Sequence, residues 1–339
     1  MTNTATLAQP NALELPSQGM PVTIITGFLG SGKTTLLNHI LSNNHGLKIA
    51  VLVNEFGDIN IDSQLLVSID EDKIELTNGC ICCTIDNNLL EAVYKILQKY
   101  KPGEKDSIDY MVIETTGVAD PLPIVLQFLG TDLRDLTRLD AILTVVDAET
   151  FTPEQYNSEA AKSQLLYSDI ILINKIDLVS TAHVNSLESY IYSIKDYAKV
   201  LRSQFGVVPL PLILDVNFSQ LGSSPQALAA PKKATETSHL NADGFTSVSF
   251  KSDRPFSLKK FQQFLDHQLP STVFRAKGIL WFDESPARHI FQLSGHRFHL
   301  NDSAWLPTVS PSNQLVIIGR RLNALQLQQQ LTNCLTKSR

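Results

Sequence analysis

The chain reads as an α/β protein, a parallel sheet flanked by helices, with a smaller α+β domain behind it. Three observations predict this. Short apolar runs alternate with helical patterns through the first half, a glycine-rich loop joins the first strand to the first helix, and alternating patterns resume after a polar stretch at 219–243.

The elements follow in order. Residues 22–26 read as a strand, 34–41 as a helix and 48–53 as a second strand. Residues 88–100 look helical because Leu89, Leu90, Val93 and Leu97 share one face. Residues 110–114 form another short strand, and a helix runs from Pro121 to about 129. Two further β-rich runs, 141–147 and 170–174, bracket a helical stretch at 153–166. The stretch 219–243 is rich in Ser, Ala, Pro, Gln and Thr and reads as a flexible linker. Beyond it come an alternating run at 245–250 and a helix at 257–265. Strands follow near 275–282, 290–293 and 315–319, with a last helix at 323–335. The expected domains are a disordered tail at 1–20, a nucleotide-binding domain at 21–217, a linker at 218–243 and an α+β domain at 244–339.

Composition excludes several classes. With 28 basic and 34 acidic residues the net charge is −6, so no broad nucleic-acid face is implied. The longest apolar runs have strand length and fall far short of a membrane span. Residues 1–19 are polar and lack the pattern of a signal peptide. Four cysteines, three of them between 80 and 83, make no disulfide framework. A cytoplasmic protein is the expectation.

Gly27-Phe28-Leu29-Gly30-Ser31-Gly32-Lys33-Thr34-Thr35 satisfies the Walker A pattern between strand and helix, which predicts a P-loop NTPase sheet. Glycines let the backbone wrap the phosphates so that successive N–H groups form an anion nest. The helix N-terminus adds positive charge, Lys33 neutralises the β- and γ-phosphates, and the Thr34 hydroxyl binds Mg²⁺. Asn174-Lys175-Ile176-Asp177 ends the 170–174 strand and suits guanine. The Asp177 carboxylate accepts both N1–H and N2–H, a donor pair that adenine lacks. The bland alternative is a capping turn. Glu114-Thr115-Thr116-Gly117 ends another strand, where Glu114 can hold Mg²⁺ through its water shell and the Gly117 N–H can approach the γ-phosphate. Asp147, at a third strand end, either faces the nucleotide or caps the next helix.

Cys80-Ile81-Cys82-Cys83 presents three soft thiolates suited to Zn²⁺ or a similar ion. Three thiols do not complete a tetrahedron, so a further ligand or an open position is required, and an open position suits metal exchange. Buried small hydrophobes, a vicinal disulfide and a redox pair are the competing readings. Glu55 and Asp58, in the loop after the second strand, are candidates either for that metal or for Mg²⁺. His296 and His299 lie three apart, on opposite faces if in a strand, and read as domain-surface histidines.

Together, the phosphate loop, Asn54-Glu55-Phe56-Gly57, Gly79-Cys80-Ile81-Cys82-Cys83, Glu114-Thr115-Thr116-Gly117 and Asn174-Lys175-Ile176-Asp177 resemble the CobW-like family of P-loop GTPases, related to the UreG and HypB maturation GTPases. Arg275 to Trp281 resembles the second domain of that family, so the resemblance spans about 21 to 335. It implies a GTP-hydrolysing metallochaperone that carries zinc, or cobalt or nickel, on Cys80, Cys82 and Cys83. It further implies delivery to a client metalloprotein, with a homodimer left open. A metal-responsive GTP-binding module with negligible turnover is the alternative. Val53 and Asp58 stand where some family members carry glutamate, and the linker holds one histidine, His239, where many are His-rich.

Overall fold

A computed structural model describes residues 19–43, 47–53, 81–84, 89–99, 107–117, 119–152, 159–215, 245–305 and 309–336. The first unit runs β1 (Met20–Thr26), α1 (Lys33–Ser42), β2 (Ile49–Val53), β3 (Ile81–Thr84), α2 (Leu89–Lys99), β4 (Tyr110–Glu114), α3 (Leu122–Gly130) and α4 (Leu133–Leu136). It continues with β5 (Thr137–Asp147), α5 (Glu159–Tyr167), β6 (Ile170–Asn174), α6 (Thr181–Ile194), β7 (Val200–Arg202) and α7 (Leu210–Ile213). Its seven strands form one sheet in the order β3-β2-β4-β1-β5-β6-β7, every neighbour parallel.

Continuous apolar strands such as Ile-Ala-Val-Leu-Val in β2 are buried on both faces, as a helix-covered parallel sheet requires. Ile25, Val51, Val112 and Leu143 pack on one side with Leu36, Leu37 and Ile40 of α1. Ile24, Leu52, Ile113 and Ile142 pack on the other with Val93 of α2 and Ile124 and Phe128 of α3. Each fully buried side chain of this size stabilises the fold by ~1.5–3 kcal/mol before entropy is counted.

The second unit comprises β8 (Phe245–Ser252), α8 (Leu258–His267), β9 (Val273–Leu280), β10 (Arg288–Ser294), β11 (Arg297–Ser303), β12 (Asn313–Arg320) and α9 (Ala324–Cys334). Its antiparallel sheet has the order β11-β10-β9-β12-β8. Phe256, Phe261, Phe264, Phe282 and Phe291 fill the space between this sheet and α8 and α9. Strand β11 is absent from the sequence reading because Arg-Phe-His-Leu-Asn-Asp-Ser is a mostly polar edge strand.

Strand β5 begins four residues earlier than its apolar run suggests. Its polar start, Thr137-Arg138-Leu139-Asp140, is buried against the second unit and held there by charge. Arg275 of β9 donates to both Asp140 oxygens, at 3.0 and 2.7 Å, and to the carbonyls of Leu212 and Ile213. Arg138 pairs with Asp215 at 2.5 Å, and Lys277 reaches the other Asp215 oxygen at 3.0 Å. The Tyr110 hydroxyl donates to Asp140 as well. Burial alone would raise the Asp140 carboxyl, but Arg275 and Arg138 bring it down to about 2. The same burial, with Asp140 beside it, raises the Tyr110 hydroxyl well above its ordinary value.

The two histidines are contacts between the units. His296, in the β10–β11 turn, bonds the Tyr197 carbonyl, and His299 of β11 bonds that of Leu139. His296 is exposed, as the sequence reading has it, while His299 is partly buried because β11 lies against the first unit. Burial lowers the pKa of each ring.

Candidate nucleotide and phosphate site

The phosphate loop lies between β1 and α1 and turns on left-handed glycines: Gly27, Gly30 and Gly32 have φ of 137°, 71° and 101°. Two of them are also required by close approach. A Cβ on Gly27 would sit 2.2 Å from the Val145 carbonyl oxygen, and one on Gly32 would sit 2.3 Å from Asn174 Nδ2. Ser31 is buried, Gly30 has open space around it and Thr35 is exposed. Lys33 is buried and its ammonium donates to the Phe28 carbonyl at 3.1 Å, within the loop itself.

Thr34 and Glu114 come together across the sheet. The Thr34 hydroxyl donates to Glu114 Oε1 at 2.9 Å, and Glu114 is buried at the end of β4. A hydroxyl and a buried carboxylate meeting beside an anion nest are the hard oxygen donors Mg²⁺ takes alongside a nucleotide phosphate. The residues fit that ion. Gly117, three residues on, packs against the phosphate loop so closely that a Cβ would stand 2.5 Å from the Leu29 nitrogen.

The loop after β6 is organised by Asn174. Its Nδ2 donates to the Ser31 carbonyl at 3.0 Å, and its Oδ1 accepts the Gly206 N–H at 3.0 Å. Both polar ends therefore tie the phosphate loop to a third loop, Ser203-Gln204-Phe205-Gly206. Lys175 holds φ of 61° and extends its ammonium to Asp147 at 2.7 Å. Asp177 stands exposed in a short 3₁₀ turn, Ile176–Leu178, where its carboxylate can meet a base.

Asp147 caps the turn that follows β5 rather than a helix, and it also holds Lys175. One oxygen accepts the Glu149 and Thr150 N–H groups, and the other accepts Lys175. The sequence reading missed the Ser203–Gly206 loop, whose one local signal is a glycine after a three-residue strand.

Cys82 and Cys83 lie in edge strand β3, in register with Val51 and Leu52 of β2. Thr84, Val53 and Glu114 align across β3, β2 and β4. Two strand spacings put the cysteine segment roughly 10 Å from the Glu114 backbone. Cys80, Glu55 and Asp58 lie outside the described residues. Among the described residues no three His, Cys, Asp or Glu side chains cluster as a metal site, and no helix is long and apolar enough to cross a membrane.

A parallel sheet, a glycine-turned phosphate loop and an Asn-Lys-x-Asp loop clamped onto it define a P-loop nucleotide-binding protein of the guanine-reading type. Residues 21–202 match the CobW/HypB/UreG nucleotide-binding domain, and residues 245–335 match the cobalamin synthesis protein cobW C-terminal domain. The chain belongs to the CobW/HypB/UreG family. The zinc-regulated GTPase metalloprotein activator 1 of Dictyostelium discoideum is 32% identical over 93% of this chain and 80% of its own length. The zinc chaperone YjiA of Escherichia coli is 33% identical over 89% of this chain and 94% of its own. The Zn(II)-bound structure of the YjiA GTPase matches at 30% identity and a TM-score of 0.48, covering 94% of this chain and 99% of that one.

Proposed function

We propose that this protein is a GTP-hydrolysing metallochaperone that carries zinc on Cys80, Cys82 and Cys83 and releases it to a client metalloprotein according to nucleotide state. The observation that carries the reading is the cysteine strand lying two strands from Glu114 in the same sheet. Glu55 and Asp58, which follow β2 in sequence, are the candidates to complete either the zinc or the magnesium sphere. Relatives named as zinc chaperones and zinc-regulated GTPases support the metal and the nucleotide.

In this reading the loop N–H groups and Lys33 bind the β- and γ-phosphates, and Asp177 selects guanine. Thr34 and Glu114 would hold Mg²⁺, which supplies charge neutralisation as the β–γ bond breaks. The Gly117 N–H faces the γ-phosphate, so its loop takes a different position with GTP than with GDP. A change there reaches the β2–β3 end of the sheet through adjacent strands and alters the zinc ligand set.

Linkage makes this testable: GTP must change zinc affinity by the factor by which zinc changes GTP affinity. Calorimetric titration of Zn²⁺ with and without a non-hydrolysable GTP analogue measures it, and equal affinities remove the coupling. Cys82→Ala is expected to lose high-affinity zinc while keeping GTP. Full zinc retention by that variant refutes the ligand assignment.

A further inference from the structure

Helix α5 packs on the sheet through Ala161 and Leu165, in a core formed with Val146 and Ile171. One polar residue shares the buried face of this helix. Gln164 is 0% exposed, and a buried amide is costly unless its partners are fixed. Its partners lie in the loop that leaves β4. Nε2 donates to the Gly117 carbonyl at 3.3 Å and to the Ala119 carbonyl at 3.0 Å. Both partners are acceptors, so the amide nitrogen is the end that faces them. The Gln164 main-chain carbonyl in turn accepts the Thr144 hydroxyl of β5 at 2.7 Å, which ties this turn of the helix to the sheet.

Gly117 is therefore gripped from two sides. Leu29 of the phosphate loop leaves no room for a Cβ on one side, and Gln164 holds its carbonyl on the other. Just upstream, the Thr115 N–H is anchored on the Ile25 carbonyl at 2.9 Å. A glycine has the widest backbone choice of any residue, so the direction of its N–H depends on what restrains its neighbouring peptides. The Ala119 N–H closes a turn onto the Thr116 carbonyl at 3.2 Å, and the side-chain restraint on the Gly117 carbonyl comes from Gln164, 47 residues away in sequence.

We infer that Gln164 is a positioning residue that aims the Gly117 peptide at the γ-phosphate and so sets the preference for GTP over GDP. The inference rests on reading Gly117 as the γ-phosphate contact. Gln164 touches no phosphate itself. Its two donors keep the loop after β4 in one conformation before nucleotide arrives, which spares GTP the cost of ordering it.

Gln164→Met keeps length and volume but removes both donors. In the full chain it should weaken a non-hydrolysable GTP analogue about tenfold, leave GDP affinity unchanged and slow single-turnover hydrolysis. Gln164→Glu can donate only when protonated, and burial against two carbonyls favours that form. Its GTP affinity should therefore recover as pH falls from 8 to 6, which a plain packing defect would not do. Equal weakening of GTP and GDP in the Met variant, with or without a lower urea midpoint, assigns Gln164 to packing alone and overturns the inference. So does a Glu variant whose GTP affinity ignores pH. Gly117→Ala, measured in parallel, separates the two layers. If it keeps the normal GTP-to-GDP ratio, the reading of Gly117 fails and the inference with it. If it loses that ratio while Gln164→Met keeps it, the Gln164 inference alone is overturned.

Discussion

Arg275→Met tests the charged seat between the two units most directly. The native guanidinium makes two bonds to Asp140 and two to the carbonyls of Leu212 and Ile213, and both Arg275 and Asp140 are buried. Removing one partner of such a pair costs ~3–5 kcal/mol, because the other charge stays buried. Arg138 stands 3.5 Å from Asp140 and compensates in part, so about 3 kcal/mol is expected. That is a large share of the ~5–15 kcal/mol that holds a typical domain. Urea unfolding at pH 7, followed through Trp281 and Trp305, measures it. The pH dependence gives a second check. The folded pKa of Asp140, about 2, lies below its ordinary 3.8, so the pair adds stability above pH ~4 that is lost as pH falls toward 2. The shift corresponds to roughly 2–3 kcal/mol. In the variant, burial without Arg275 raises the carboxyl pKa, and protonation then relieves the defect. The gap between variant and native protein should narrow from pH 7 to pH 4. A loss under about 1 kcal/mol at pH 7, or a gap that widens toward acid, refutes the account.

Two further outcomes follow from the site and the seat. Asp177→Ala removes the acceptor for two guanine N–H groups and should weaken GTP about a hundredfold or more, at ~1.5–3 kcal/mol per charged hydrogen bond. ATP binding should change little, and competition between GTP and ATP reads the difference; equal losses for both would remove Asp177 from base recognition. His299→Gln keeps a donor for the Leu139 carbonyl without a titrating ring. Burial depresses the native His299 pKa, so the unfolded chain takes up the proton first and stability falls as pH drops through about 6.5. The variant should lose less stability than the native protein between pH 7 and pH 5, as read by urea midpoints. Asp169, raised by burial in both proteins, cancels in the comparison, and identical slopes would exclude His299 as a contributor.

The legible parts of this protein are those whose chemistry is local in sequence. The glycines of the phosphate loop, Lys33 and Thr34 lie within eight residues, and the strand before them and the helix after them are marked by apolar runs. Glu114 was readable because a carboxylate ends a strand of five buried residues. Asp140 and Arg275 were not, because their pairing spans 135 positions and each looks like an ordinary surface charge in its own segment. For the same reason Arg138 and Asp140 disguised the start of β5 as a polar turn. The motif makes Asn174 a candidate base contact, yet its side chain bonds to Ser31 and Gly206, a clamping role that only the assembled loops reveal. Gln164 gave no signal because a lone glutamine in a helix is ordinarily solvated.

Strand β4 begins with Tyr110, bonded into the charged seat of the second unit, and ends with Glu114, bonded to Thr34. Four residue steps make it a strut of about 13 Å. It is wedged between two parallel neighbours, with no hinge along its length. The second unit is thus mounted on the same beam that carries the phosphate site, and it cannot swing without tearing paired charges out of a buried seat. In the proposed cycle, motion driven by the nucleotide would therefore leave the second unit in place and act through loops at the phosphate end of the sheet. On the proposed function, a client docked on the second unit would meet a surface held in constant orientation to the phosphate site, because Arg275–Asp140 and Thr34–Glu114 brace the same sheet.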